Sequence, residues 1–213
     1  MKSPVQKFAS LFQNLPLVAI LRGLTPDEAP AIGDALTQTG FGLLEVPLNS
    51  PRPLESIALM AKAHPQALVG AGTVLTPQQV QQVHAAGGQL IVSPNANIAV
   101  IHEAVRLGMV CLPGIATPTE AFSALDAGAQ GLKLFPAEAA SPAVLKAMLA
   151  VLPAGTLMVP VGGISTTNMG PWLAAGAHGF GLGSALYKPG KSADALRQDA
   201  TAFIAAYRGC LTA

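Results

Sequence analysis

Short runs of apolar residues alternate along the chain with longer segments in which apolar and polar residues recur at helical spacing. The short runs are typical of buried parallel strands, and the longer segments are typical of helices that cover such a sheet. Eight strands are predicted, at 17–22, 42–46, 67–72, 89–92, 109–112, 131–135, 157–161 and 178–182. Helices are predicted at 4–13, 26–39, 52–63, 77–86, 97–107, 118–127, 142–151, 166–175 and 193–208.

The ends of the predicted helices carry specific signals. Glycines that follow a small or apolar residue supply the left-handed residue just past a helix, at Gly40, Gly87, Gly108, Gly128 and Gly176. Thr25-Pro26-Asp27-Glu28 and Thr117-Pro118-Thr119-Glu120 each predict a capping box, with Thr as N-cap, Pro at the first helical position and Glu at the third. Thr76-Pro77 and Ser141-Pro142 repeat the first half of that signal.

Eight strand–helix units without a linker predict a single (β/α)8 TIM barrel with an extra N-terminal helix. We expect one domain over residues 1–213, of which 1–14 hold that extra helix. An open doubly wound sheet is the structural alternative, and it usually carries a Gly-rich turn after its first strand. The first strand ends here in Leu21-Arg22-Gly23-Leu24, which is no such fingerprint.

Composition narrows the class of protein. The chain is 51% hydrophobic and 11% charged, with a net charge of +1, which excludes disorder and gives no basic excess for nucleic acid. Residues 63–102 and 147–187 contain no Asp, Glu, Lys or Arg, but prolines, glycines and polar residues interrupt both stretches, so we expect no membrane span. No signal-like segment opens the chain, and Cys111 and Cys210 form no motif. We therefore expect reduced cysteines and a cytoplasmic location.

A lysine in the predicted sixth strand is the strongest candidate for chemistry. Lys133 stands in Gly131-Leu132-Lys133-Leu134-Phe135-Pro136, and strand alternation turns it into the barrel mouth while both leucines face the helices. Burial lowers the pKa of such an amine towards the range that suits a nucleophile. A lysine that snorkels to the rim or pairs structurally with a carboxylate is the plain alternative.

Glu45 follows the same alternation in Leu43-Leu44-Glu45-Val46-Pro47, and it is the carboxylate predicted at a strand end. Facing a lysine, it can move protons, with a pKa set by burial against the lysine's charge. A purely structural Lys–Glu pair is the alternative.

An anion site is predicted where Val161-Gly162-Gly163-Ile164 and Gly181-Leu182-Gly183-Ser184 end the last two strands. Loops at these positions commonly bind phosphate in such barrels, because glycines let backbone N–H groups approach the oxygens. Arg22, at the end of the first strand, is placed to pair with that phosphate or with a substrate carboxylate. Thr73, at the end of the third strand, is placed to hold a carboxylate.

Metal chemistry has little support, because the four histidines form no pair at ligand spacing and Glu45 is their one carboxylate companion at a strand end. Together, a buried amine, a carboxylate and a phosphate site predict Schiff-base chemistry on a phosphorylated keto compound, without a cofactor. An isomerase or epimerase with Glu45 as base, and a phosphosugar-binding protein without catalysis, remain the alternatives.

The sequence resembles the class I 2-keto-3-deoxy-6-phospho-aldonate aldolases over nearly the whole chain. The motifs that carry the resemblance follow the family's order: Val18-Ala19-Ile20-Leu21-Arg22-Gly23, Glu45-Val46-Pro47-Leu48-Asn49-Ser50-Pro51, Gly70-Ala71-Gly72-Thr73-Val74, Ser93-Pro94-Asn95, Leu132-Lys133-Leu134-Phe135-Pro136 and Val161-Gly162-Gly163.

The resemblance implies Lys133 as Schiff-base lysine, Glu45 as acid/base, and Thr73, Pro94 and Phe135 around the pyruvate moiety. It also implies that Arg22 contacts the substrate and that the phosphate is bound by a set of four residues, Gly162, Gly163, Gly183 and Ser184. It further implies a metal-free homotrimer that releases pyruvate and glyceraldehyde 3-phosphate.

Two positions bear on the epimer of the substrate. Gluconate-type members of the family have Arg four residues after the catalytic Glu and Thr before the Gly-Gly pair, whereas this chain has Asn49 and Val161. That pattern is similar to the 2-dehydro-3-deoxy-6-phosphogalactonate aldolases, and the gluconate epimer (the 2-keto-3-deoxy-6-phosphogluconate / 4-hydroxy-2-oxoglutarate activity) is the alternative.

The scarcity of charge on helices 77–86 and 166–175 predicts that a neighbouring subunit covers at least one of them, with Trp172 as a candidate anchor.

Overall fold

Strands and helices alternate along the chain in the computed structural model of the protein, which describes residues 2–212. The helices are α1 (Pro4–Asn14), α2 (Ala29–Thr39), α3 (Pro53–Ala63), α4 (Pro77–Ala85), α5 (Ile98–Arg106), α6 (Pro118–Asp126), α7 (Pro142–Leu149), α8 (Met169–Ala174) and α9 (Ala193–Leu211). The strands are β1 (Leu17–Ile20), β2 (Leu43–Pro47), β3 (Leu68–Gly72), β4 (Leu90–Val92), β5 (Val110–Leu112), β6 (Gly114–Ile115), β7 (Leu132–Leu134), β8 (Met158–Pro160) and β9 (Phe180–Leu182). A 3-10 turn, Ala137–Ala139, follows β7.

The strands form a curled parallel sheet. Six of them pair in the order β5-β4-β3-β2-β1-β9, and three more pair in the order β6-β7-β8. Pro113 alone separates β5 from β6, and its carbonyl accepts a 2.9 Å hydrogen bond from the Lys133 N–H. An isolated parallel bridge, Val161 to Gly181, links the end of β8 to β9. The predicted α/β fold with parallel strands is confirmed.

The fifth predicted strand, 109–112, continues further than its apolar run indicates. Because Pro113 has no N–H to donate, it interrupts the ladder, and the chain resumes pairing at Gly114. Gly114 then stands in register with Lys133, so this short segment flanks the central candidate residue of the site.

The glycine signals for helix ends are confirmed. All five predicted glycines have positive φ, with values of 106° at Gly40, 85° at Gly87, 68° at Gly108, 94° at Gly128 and 102° at Gly176. A residue with a β-carbon is disfavoured in this left-handed region, so glycine lets each helix end and the next strand begin within a few residues.

The signals for helix starts are confirmed at three of four places. Thr76 and Thr117 form capping boxes, and the Ser141 side chain accepts from the Val144 N–H. The interpretation of Thr25 as N-cap is wrong. Its hydroxyl donates to the Glu28 carboxylate at 2.7 Å, residues 26–28 form a turn, and α2 begins only at Ala29.

Strand alternation produces two cores. Outward residues such as Leu44 and Leu132 pack with the helices, whereas inward residues such as Leu43 and Leu90 pack within the curve of the sheet. Two aromatic side chains of α1, Phe8 and Phe12, belong to the inner core, with their ring centroids 5.1 Å apart. The extra N-terminal helix thus covers the inside of the sheet away from the carboxyl ends of the strands.

Trp172 does not have the role expected of it. Trp172 is 7% exposed and belongs to the hydrophobic core of its own chain, so its side chain is not available to anchor a second subunit. Exposed apolar side chains occur elsewhere, among them Leu75 near α4 and Phe122 on α6. Within residues 2–212, no helix combines the length and apolar character needed to cross a membrane.

Candidate active site

A cavity of about 590 Å³ opens at the carboxyl ends of β1, β2, β7, β8 and β9. Its lining includes nine of the predicted site residues: Arg22, Glu45, Lys133, Phe135, Val161, Gly162, Gly163, Gly183 and Ser184. The parallel register explains why they meet, because strands that run in one direction deliver their carboxyl ends to one edge.

Lys133 lies in this cavity with its amine unpaired. The residue is 7% exposed, and its Nζ forms no salt bridge within residues 2–212. The Nζ stands 4.4 Å from the centroid of the Phe135 ring. Burial lowers the pKa of Lys133; the Glu45 carboxylate opposes this shift, and the Arg22 guanidinium adds to it. The amine is therefore held closer to its neutral, nucleophilic form than a surface lysine.

Glu45 enters the same cavity from β2. It is 2% exposed, and its Oε2 has no hydrogen-bond partner among the described residues. Burial raises the pKa of this carboxyl to about 7, although the charges of Lys133 and Arg22 pull it down. A carboxyl that titrates near neutral pH suits both donation and acceptance of a proton.

Gly72 makes room for that carboxyl. A β-carbon on Gly72 would overlap Glu45 Oε1 and lie 2.8 Å from its carboxyl carbon. Because Lys133 and Glu45 share the cavity without forming a salt bridge, the structural-pair interpretation of either residue loses its main support.

The Gly-Gly turn after β8 exposes backbone donors. Gly162 and Gly163 have φ of 111° and 64°. Within residues 2–212, the N–H groups of both glycines, and those of Gly183 and Ser184, have no hydrogen-bond acceptor. Asn168 braces the turn, since its side chain donates to the Gly163 carbonyl at 2.7 Å and accepts from the Ser165 N–H at 2.9 Å. Unsatisfied N–H groups on a fixed turn form an anion-binding surface.

Asn168 also explains a difference in helix length. The sequence predicts a helix from 166, whereas α8 begins at Met169 because the Asn168 side chain is engaged with the turn before it.

Arg22 stands at the rim of the cavity and is held there by Asn49. Its Nη1 donates to Asn49 Oδ1 at 2.8 Å. Asn49 thus orients the guanidinium of Arg22, whereas an arginine at position 49 would itself supply a positive charge.

Thr73 and Pro94 lie outside the lining of this cavity. Thr73 follows β3 with a φ of 57°, which turns the chain away from the strand direction. Pro94 follows β4, and its backbone packs against Gly114, the register partner of Lys133. Both residues adjoin neighbours of Lys133 and Glu45 without lining the cavity themselves.

Five polar side chains in the lining were not predicted as site residues from the sequence: Asn49, Glu138, Ser165, Tyr187 and Lys188. None lies on a strand, so no alternation marks them. A signal for Glu138 was nevertheless present, since it is an acidic residue only five positions after Lys133 and just beyond the strand end.

A free buried amine beside a carboxyl poised near neutral pH can form an imine with a keto group, and the unsatisfied N–H groups of the turn can bind an anion. Within residues 2–212, no group of three or more His, Cys, Asp or Glu side chains could hold a metal ion.

Comparison with known proteins identifies the family. Residues 8–203 match the family described as "Aldolase: KDPG and KHG aldolase". The chain therefore belongs to the KDPG and KHG aldolase family, and it is an aldolase by that membership.

Three relatives illustrate the likeness. The chain is 51% identical over 196 residues to the 2-dehydro-3-deoxy-6-phosphogalactonate aldolase of Escherichia coli (strain K12), covering 92% of this chain and 96% of that protein. It is 52% identical over 193 residues to a probable 2-dehydro-3-deoxy-6-phosphogalactonate aldolase of Rhizobium meliloti (strain 1021), covering 90% and 91%. A solved structure described as "Native KDPGal structure" superposes with a TM-score of 0.92 at 50% identity, covering 93% of this chain and 97% of that one.

Proposed function

We propose that this protein is a Schiff-base aldolase that cleaves 2-dehydro-3-deoxy-6-phosphogalactonate to pyruvate and D-glyceraldehyde 3-phosphate. The observation that carries the proposal is the buried amine of Lys133, which faces the cavity with no salt-bridge partner in residues 2–212. An amine whose pKa is lowered by burial is a better nucleophile towards a keto group than a surface lysine, whereas a lysine retained for structure would be paired.

The reaction uses both buried groups. Lys133 Nζ adds to the C2 carbonyl, and loss of water gives an iminium. Glu45, acting through a water molecule, takes the proton of the C4 hydroxyl as the C3–C4 bond breaks. The bonding electrons move to the iminium and give an enamine, and the C4 fragment leaves as the aldehyde. Glu45 then returns a proton to C3, and hydrolysis of the new iminium releases pyruvate and regenerates the free amine.

The remaining residues bind the two ends of the substrate. The free N–H groups of Gly162, Gly163, Gly183 and Ser184 support a phosphate site, some of whose binding energy aligns the scissile bond. Arg22 contacts the substrate from the rim, and Phe135 and Val161 line the space beside Lys133. For Thr73 and Pro94 we retain only a supporting role around the pyruvate moiety.

The galactonate epimer is favoured by two features. Both relatives with about half of their residues identical bear galactonate aldolase names. Val161 lines the cavity, where a threonine hydroxyl would orient the C4 substituent of one epimer and a valine methyl does not.

The proposal also covers the closure of the barrel, the oligomeric state and the cellular location. We propose a closed (β/α)8 barrel formed by one domain, which is supported by the pairing of β1 with β9 and by the Val161–Gly181 bridge. We also propose a homotrimer, in keeping with the exposed apolar side chains near α4 and α6, and a cytoplasmic location, in keeping with two free cysteines.

A cleavage assay tests the proposal. Purified protein is given each phosphorylated epimer, and pyruvate release is followed to obtain kcat/KM. We expect clear preference for the galactonate epimer and a shift towards the gluconate epimer in Val161→Thr. The same substitution at exposed Val151, outside the cavity, is the control and should change nothing. Preference for the gluconate epimer would contradict the assignment of substrate, and failure to cleave either would contradict the function.

A further inference from the structure

A hydrogen bond joins the 3-10 turn after β7 to the side of the cavity where we propose that the phosphate binds. The Ala137 N–H donates to the Val161 carbonyl at 2.9 Å. This bond ties the turn to the end of β8, directly before the Gly-Gly pair. Glu138, the middle residue of the turn, is thereby brought from the strand of Lys133 to the opposite end of the site.

The Glu138 side chain lies against both glycines. A β-carbon on Gly162 would overlap its Oε2, and one on Gly163 would lie 2.7 Å from its Cγ. Its carboxylate forms no salt bridge within residues 2–212. A carboxylate beside an anion site repels the phosphate. Glu138 is exposed, so solvent screens part of this repulsion, and a contact with another part of the substrate would offset the remainder.

The length of the substrate identifies that contact, and this step rests on the function proposed above. With C2 on Lys133 and the C6 phosphate on the glycine turn, the C4 and C5 hydroxyls lie between the two ends. The C4 hydroxyl gives its proton towards Glu45 during cleavage. The C5 hydroxyl remains, and it can donate to an acceptor on the wall between Lys133 and Gly162.

The neighbouring side chains are weaker candidates, because they are apolar, already engaged or, as with the hydroxyls of Ser184 and Tyr187, uncharged. Val161 is apolar, Ser165 Oγ is 3.1 Å from Thr167 Oγ1, and Asn49 Oδ1 already accepts from Arg22. Glu138 has two free acceptor oxygens at the right end of the cavity.

We propose that Glu138 accepts a hydrogen bond from the C5 hydroxyl, and so selects phosphorylated aldehydes that carry a hydroxyl next to the carbonyl. Hydrogen bonds to a charged acceptor are among the stronger ones, and a site built around a substrate hydroxyl discriminates sharply against analogues that lack it. Glu138 is thus a specificity-determining residue, while Lys133 and Glu45 perform the bond cleavage.

The test runs the reaction as aldol addition of pyruvate to two aldehydes. One is D-glyceraldehyde 3-phosphate, and the other is its deoxy analogue, 3-phosphooxypropanal. In Glu138→Ala we expect kcat/KM to fall about ten- to a hundredfold with the hydroxylated aldehyde and to stay within about twofold with the deoxy analogue. Glu138→Gln, which keeps the shape and one acceptor oxygen, should lie between Glu138→Ala and wild type.

Two controls separate this inference from the function on which it rests. Asp27→Asn removes a negative charge from an exposed position outside the cavity lining and should leave both rates unchanged. Borohydride trapping of pyruvate on each variant reports imine formation without any aldehyde, and it should be equal in all of them. An equal loss with both aldehydes, or a gain with both because a repelling charge is gone, would overturn the role of Glu138. Absence of trapping in the wild-type protein would overturn the aldolase function instead.

Discussion

Replacement of Glu45 by Gln should stabilise the protein selectively at neutral and alkaline pH. The wild-type carboxyl is buried, its Oε2 lacks a hydrogen-bond partner in residues 2–212, and its pKa is raised to about 7 from an ordinary value of 4.5. A neutral amide of the same shape removes the cost of a buried charge while it keeps the packing.

The sign and size follow from proton linkage. Between pH 4.5 and about 7 the unfolded chain loses this proton, whereas the folded chain keeps it, so the unfolded state binds fewer protons and the wild-type free energy of unfolding falls as pH rises. Above about pH 7 the loss is complete and levels off. A shift from 4.5 to about 7, at ~1.4 kcal/mol per unit, corresponds to about 3 kcal/mol.

Urea unfolding at intervals from pH 4 to pH 8 measures the effect. The free energy of unfolding of Glu45→Gln minus that of wild type should rise across this range by about 3 kcal/mol. Asp27→Asn, at a side chain 91% exposed, should give a nearly constant difference. In a Lys133→Met background the rise should grow, because the lysine's charge lowers the pKa of Glu45. A difference that is independent of pH would show that burial does not raise the pKa of Glu45.

Further predictions concern the site around this pair. The pH profile of kcat/KM should show an acid limb near pH 7 from Glu45, and this limb should be absent in the weakly active Glu45→Gln. Gly72→Ala should lower kcat by about tenfold or more because a β-carbon displaces the Glu45 carboxyl, whereas Gly209→Ala, with open space at the same atom, should leave kcat unchanged. Lys188 is exposed in the cavity lining, and its charge is placed to attract the phosphate, so Lys188→Ala should raise KM for the phosphorylated substrate about fivefold. Lys62→Ala, outside that lining, is the control, and equal KM values in the two variants would contradict a contact between Lys188 and the phosphate.

Periodic elements carried most of what the sequence could predict. Alternation in two short apolar strands was enough to turn Lys133 and Glu45 inward, because a strand has only two faces and the other one was filled with leucine and valine. The glycines that end helices could be predicted equally well, since few other residues tolerate their positive φ.

The positions of the remaining residues could not be predicted from local sequence patterns. Glu138 stands on a 3-10 turn whose position is fixed by one long-range bond to the Val161 carbonyl, and no local pattern records such a bond. Thr73 shows the converse, because its place at a strand end did not reveal the turn that takes it out of the cavity lining. Trp172 was ambiguous for a third reason: an apolar residue on a helix without charges suits its own core as well as an interface.

In the proposed reaction, Lys133 forms the covalent bond to the substrate. The most direct measurement is the mass of the intact protein after incubation with pyruvate and borohydride, followed by peptide mapping, in wild type and in Lys133→Met. Lys146→Met, which removes a lysine of α7 outside the cavity lining, is the matched control. We expect one reduced pyruvyl group per chain, located on Lys133, retained in the control and absent from Lys133→Met. An unmodified wild-type protein, or an adduct that persists when Lys133 is replaced, would contradict it.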